Sequence, residues 1–173
     1  VTTNVSNYTK ETWDDISATY AAKKAELKAE GRELSAEVKE EMDEAEQKFA
    51  ALRTKFESNI KAIESKQTMR DELFGAGKVG NDLSFAWVTA GNAKEVYVNF
   101  VNTIERNKDR YTREDWDEIK VLYEALDNRK NEIEKDLAGA DNREIAKQKV
   151  RFVGIKAVNR LTAKVDENTD SKK

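Results

Sequence analysis

Two pairs of carboxylates are the first residues in this 173-residue chain whose types and spacing could do chemistry. Glu11 with Asp14, and Glu114 with Asp117, each stand one helical turn apart. A general acid and a general base could be paired in this way, provided burial raised the pKa of one member. Their setting argues against it. Each pair opens a predicted helix, where the helix dipole favours the ionised form. The chain has no histidine to serve as a base and no cysteine to serve as a nucleophile or thiolate ligand. No calcium-loop spacing of acids and glycine accompanies them either. The expectation is a protein that is not an enzyme and uses no catalytic residue, cofactor or metal. A carboxylate-dependent hydrolase ranks last among the readings.

Two other stretches could bind. Gly75-Ala76-Gly77-Lys78-Val79-Gly80 has the glycine spacing of a dinucleotide fingerprint, but that pattern needs a strand before it and a helix opening at it. A long amphipathic helix precedes it here. The phosphate-loop alternative also fails, because Lys78 is followed by Val79 where serine or threonine is required. A flexible connection is the favoured reading. The last predicted helix is basic: Asp141 to Lys164 carries seven Lys/Arg against two acids, whereas Val38 to Lys61 carries five against six. Arg143, Lys147, Arg151, Arg160 and Lys164 could therefore meet an anionic surface, either lipid headgroup or glycan. The favoured alternative is a pair of solvated faces attracting each other within the molecule. Phe152, Val153, Ile155, Val158 and Leu161 spread apolar surface around the same helix, so burial on more than one side is expected. A net charge of −3 gives no whole-molecule case for nucleic acid.

The elements that must carry these residues are marked by a repeat. Asn4, Tyr8, Thr9, Glu11, Trp13, Asp14, Ile16 and Tyr20 recur 103 residues later as Asn107, Tyr111, Thr112, Glu114, Trp116, Asp117, Ile119 and Tyr123. Thr9 and Thr112 suit an N-cap, and an acid follows in each first turn. Tyr8 with Trp13, and Tyr111 with Trp116, have the spacing of a hydrophobic staple. From each Trp, the Ile and Tyr continue on one helix face. Cap, staple and core account for these aromatics better than a ligand platform does. The offset persists further on: Phe49 matches Phe152, Leu52 matches Ile155, and Ala51 matches Gly154. That last pair, small in both copies, suggests a close helix crossing.

Proline is absent, glycine is scarce at seven residues, and charged residues make up 38%. Such a composition points to an all-α protein. The predicted architecture is two repeated helical hairpins plus an additional helix, an elongated bundle with coiled-coil-like packing. Helices are expected over 10–30 and 36–74, with Gly31 as the break and Ser35 as the next cap, although one continuous helix through Gly31 stays open. Val38, Met42, Ala45, Phe49, Leu52 and Phe56 form a heptad-like seam on the second. Beyond it, alternation at Leu83, Phe85 and Trp87 permits a β-hairpin. Asn92 three residues before Glu95 instead reads as a capping box opening a helix, and helix is preferred. Further helices are expected over 113–137 and 143–165, separated by a turn at 138–142. This divides the chain into a first repeat at 1–74, a connection at 75–91, and a second repeat with its extra helix and polar tail at 92–173. No apolar run reaches transmembrane length.

The Tyr8 to Ile16 and Tyr111 to Ile119 motifs, with Lys48-Phe49-Ala50-Ala51-Leu52 and Arg151-Phe152-Val153-Gly154-Ile155, resemble a family of exported helical proteins from Bacteroides-type bacteria. Members are often described as lipoproteins of unknown function. The resemblance implies residence in the cell envelope, in the periplasm or at the outer-membrane surface, with a lipid-bearing cysteine upstream of Val1. It brings no catalytic residues. The resulting expectation is a non-enzymatic envelope module that binds or spaces an unknown protein or another envelope component. Recognition of an anionic surface through the last helix is the alternative.

Overall fold

A computed structural model describes residues 9–29 and 35–170, excluding the side chains of Lys28 and 161–170. The fold is all-α, and no strand occurs among the described residues. Among the described residues five α-helices run in chain order: α1 (Lys10–Ala29), α2 (Ala36–Phe74), α3 (Ala93–Asn107), α4 (Arg113–Glu132) and α5 (Gly139–Asp170). The chain divides into two compact units, Val1–Glu64 and Ser65–Lys173. The division falls inside α2, before the helix end that the sequence suggests as a boundary. Beyond it, Met69 and Leu73 are buried in the second unit's core.

In the first unit, α1 and the leading part of α2 pack antiparallel along an aromatic ladder. Trp13 stacks on Phe56 at 4.8 Å and on Phe49 at 5.5 Å, and Tyr20 stacks on Phe49 at 4.0 Å. Lys24 pairs with Glu46 beyond them. Ser35 caps α2, its hydroxyl accepting from the Val38 N–H at 3.3 Å. The break expected at Gly31 lies outside the described residues. Along the seam of α2, Phe56 is buried and Phe49 and Leu52 are half-buried, while Ala45 is exposed. A seam on one two-helix face buries only a stripe of each helix.

The second unit has the deeper core. Tyr97, Phe100, Ile104, Trp116, Ile119, Leu122, Leu126, Ile145 and Phe152 are fully buried there. Helix α3 runs parallel to α5, joined by Lys94 to Asp141 at 2.8 Å near its start and by Arg151 to Asn102 and Glu105 near its end. Helices α4 and α5 run antiparallel, with Asp127 against Lys149 and Asp117 against Arg160.

The connection at 75–91 is packed, contrary to the flexible segment expected. Val79, Phe85 and Val88 are buried in the core. Successive turns close it, from Lys78 N–H to Gly75 O, Leu83 N–H to Gly80 O and Val88 N–H to Phe85 O. Gly75 and Gly77 take φ of +95° and +68°, so the glycines serve turn geometry, which a side chain would strain. Side chains from the helices hold its carbonyls: Gln67 donates to Val79 O, Arg70 to Gly80 O, and Arg129 to Val88 O.

Other expectations change in detail. Asn92 does sit before α3, but its side chain caps nothing in the helix; it accepts from Thr89 N–H and donates to Trp87 O, closing the loop instead. α4 ends at Glu132 and gives way to a 3-10 turn at Glu134–Asp136. α5 already begins at Gly139, because Asn142 N–H reaches Ala138 O across the expected turn. The close crossing expected at Ala51 and Gly154 is absent among the described residues. Both are exposed, and nothing lies within 4 Å of where a Gly154 side chain would project. α5 is covered on the sides that meet α3 and α4, as its apolar spread suggests, but its outward face stays open, since Phe152 is buried while Val153 and Val158 are 59% and 65% exposed.

Candidate functional site

The repeated motif builds two helix starts. Thr9 Oγ1 accepts from the Thr12 N–H at 3.2 Å, and Thr112 Oγ1 accepts from the Asp115 N–H at 3.2 Å. The second start is a full capping box, with Asp115 accepting in return from the Thr112 N–H at 2.9 Å. Tyr111 and Trp116 meet edge to face at 5.5 Å, the staple that the spacing predicts. Tyr8 lies outside the described residues. Burial pushes the Tyr111 phenol up, and its hydroxyl meets no hydrogen-bond partner among the described residues. Asn4 lies outside the described residues. These aromatics are core and staple.

The paired carboxylates lack the setting for acid–base catalysis. Glu11, Asp14, Glu114 and Asp117 are all exposed. The first-turn backbone N–H, then the Thr9 hydroxyl, hold Glu11 below the usual carboxylate range. Asp117 is taken up by Arg160 at 2.8 Å. The buried acid is a residue that the sequence does not single out, Glu118. It accepts from Arg70 Nη2 at 2.6 Å and Nε at 2.9 Å, with Lys66 at 3.2 Å. Burial alone would raise its pKa, but these cations outweigh burial and hold it low. Glu118 is locked as an ion. No cluster of three or more acids that could hold a metal occurs among the described residues.

Of the five cations expected to form an anion-binding face, three have acidic partners. Arg151 is bound by Asn102 and Glu105, Arg160 by Asp117, and Lys147 lies 3.6 Å from Glu144 on its own helix. Arg143 lies near Gly139 at the start of α5, and the side chain of Lys164 is outside those described.

Two grooves instead share one design. Between α1 and α2, a cleft of about 750 Å³ includes Ser17, Tyr20, Ala21, Phe49, Arg53 and Glu57 in its lining. Between α4 and α5, a cleft of about 420 Å³ includes Lys120, Tyr123, Glu124, Phe152, Lys156 and Arg160. Each residue of the second set stands 103 positions after its counterpart in the first. Their floors match as well, Tyr20 on Phe49 at 4.0 Å and Tyr123 on Phe152 at 4.4 Å. Their charges do not. The first groove sets Lys10, Arg53 and Lys61 against Asp14, Glu57 and Glu64, and the second has three cations against Glu124. Lys156 falls within the basic count along the last helix, whereas Lys120 escapes it, because this cluster is assembled across two helices. The signal that could have found the cluster is the offset itself, applied to the polar neighbours of Tyr20 and Phe49.

Among known families, a domain of unknown function (DUF6565) matches residues 104–173. That segment takes in α4 and α5 with the end of α3, and therefore the second groove. Neither the curated proteins nor the solved structures contain a significant match.

Proposed function

We propose that this chain is a non-enzymatic helical module of the cell envelope that binds or spaces other components, built on a duplicated helix pair. The observation that carries it is the groove that recurs at matched positions with the same Tyr–Phe floor. Each copy comprises a motif helix and a second helix packed along a coiled-coil-like seam, and α3 is an addition to the second copy. No helix among the described residues is long and apolar enough to cross a membrane. Placement in the envelope rests on the family resemblance, as does the idea of a lipid anchor upstream. Recognition of an anionic surface through the whole of α5 is the second reading. With Arg151 and Arg160 engaged by Glu105 and Asp117, it contracts to the groove beside Lys156.

The non-enzymatic reading is tested by incubating the full chain with peptidoglycan fragments, envelope glycans and peptides. All should be recovered unchanged. A product whose formation stops in Glu114→Gln would reinstate the hydrolase. Fractionation of cells making the full precursor tests the location, and recovery in the cytoplasmic fraction would remove the envelope from the proposal.

A further inference from the structure

The two grooves diverge at the positions that would meet a ligand's charge. In the first, Arg53 is neutralised by Glu57 at 2.8 Å, and Ser17 and Ala21 add no charge. In the second, the same four places become Lys156, Arg160, Lys120 and Glu124 in matched order: Arg53 to Lys156, Glu57 to Arg160, Ser17 to Lys120 and Ala21 to Glu124. Arg160 has Asp117 as its partner, and Lys120 has Glu124 at 3.4 Å. Lys156 makes no ion pair among the described residues and is half-buried between these two cations. The arrangement raises the local potential and leaves one ammonium to be answered from outside. Beside it, the half-buried Tyr123 ring, Ala157 and the exposed Val153 offer an apolar wall of the kind that receives a ring.

We propose that the groove between α4 and α5 binds a small ligand carrying an oxyanion on an apolar or sugar ring, with Lys156 meeting the charge and Tyr123 the ring. The proposal rests on reading the grooves as binding surfaces. It assigns one site per chain, because at the place of Lys156 the first groove holds Arg53, paired with Glu57, and its cations are balanced by Asp14, Glu57 and Glu64 in the same lining. The state of Lys156 agrees with it: burial, then Lys120 and Arg160, push its ammonium pKa down. An entering anion relieves that strain, which a purely structural lysine would not need.

The experiment is a titration of the isotope-labelled full chain, followed by amide shifts, with phenyl phosphate, galacturonate and glycerol phosphate. Inorganic phosphate serves as the ringless control. Galacturonate represents an acidic glycan, whose charge sits on a ring, and glycerol phosphate a lipid headgroup, whose charge does not; galacturonate should bind more tightly, and tighter binding of glycerol phosphate would overturn the ring contact assigned to Tyr123. The expected result is one saturable site whose shifts centre on Tyr123, Val153 and Lys156, with phenyl phosphate binding more tightly than inorganic phosphate. Lys156→Glu should weaken binding by at least about tenfold, the scale of a lost hydrogen bond to a charged group. Arg53→Glu should stay within about fivefold, the scale of an exposed ion pair. Circular dichroism checks that each variant stays helical, and Lys156→Gln provides a milder substitution. The proposal is overturned by no saturable binding, by two equivalent sites, or by binding that survives in helical Lys156→Glu. Retention on phosphatidylglycerol vesicles with no response to the free probes would also overturn it. Turnover of a probe would count against the non-enzymatic reading while leaving the site in place, so the two failures are distinct.

Discussion

At the scale of single residues, the most consequential contact is one with no counterpart in the repeated motif, the buried pair of Arg70 and Glu118. Both side chains are about 8% exposed, and the guanidinium also spans Gly80 O and Asn81 Oδ1. One side chain thus ties α2 to the 75–91 connection and to α4. Arg70→Ala would leave Glu118 buried with only Lys66 beside it. A loss of about 3–5 kcal/mol is expected, the range for breaking a buried pair from one side, read from urea denaturation. The same pair sets an acid dependence. Glu118 is held below its ordinary value of 4.5, so its contribution is complete above that value and is lost as pH falls through the lower folded value. Glu118→Gln should therefore flatten the decline in stability below about pH 4.5 relative to the parent chain. An unchanged acid profile would mean that other carboxylates govern it.

At the scale of elements, the starts of α1, α2 and α4 were legible in the sequence because their chemistry is local, while the Asn92 cap and the start of α5 were not. Thr9 and Thr112 cap where the motif places them, and Ser35 does the same for α2. Thr112→Ala removes half of a capping box and should cost about 1 kcal/mol, measured as a lowered urea midpoint. The 75–91 connection was not legible, since glycine spacing announces turns without revealing whether long side chains from elsewhere will hold them. Gln67, Arg70 and Arg129 do so from positions that read as ordinary helix surface. The second groove was only partly legible for a similar reason. Arg160 was visible on a basic helix, but Lys120 joins it from α4. Two glycines separate local from long-range causes in one experiment. Gly77→Ala forces a side chain to φ +68° and should destabilise by about 1 kcal/mol. Gly154 sits exposed inside α5 with open space around it, so Gly154→Ala should stabilise by up to about 1 kcal/mol. If Gly154→Ala destabilised the chain instead, a partner at that face would be indicated.

At the scale of the molecule, the two motif helices begin alike and end in different surroundings. Trp116 is completely covered, and Ile119 and Leu122 beneath it are as well, while Trp13 keeps 7% exposure and Ile16 and Tyr20 are half-buried. The matched position of Leu122 is Thr19, and that of Leu126 is Lys23, so α1 offers less apolar surface to bury. Among the described residues, every large side chain that is fully buried lies in the Ser65–Lys173 unit. Local opening should follow this asymmetry, because protection depends on buried apolar contact and not on the helix start. Amides from Trp116 to Tyr123 are expected to exchange at least about tenfold more slowly than those from Trp13 to Tyr20 under native conditions. Both segments share their cap chemistry and much of their sequence, so intrinsic exchange and helix propensity largely cancel in the comparison. Equal protection would mean that the two units open together, with the shallower unit drawing its stability from the deeper. A difference that disappears on saturating the chain with a ligand would instead place the binding surface on α1, and would move the functional groove from the second helix pair to the first.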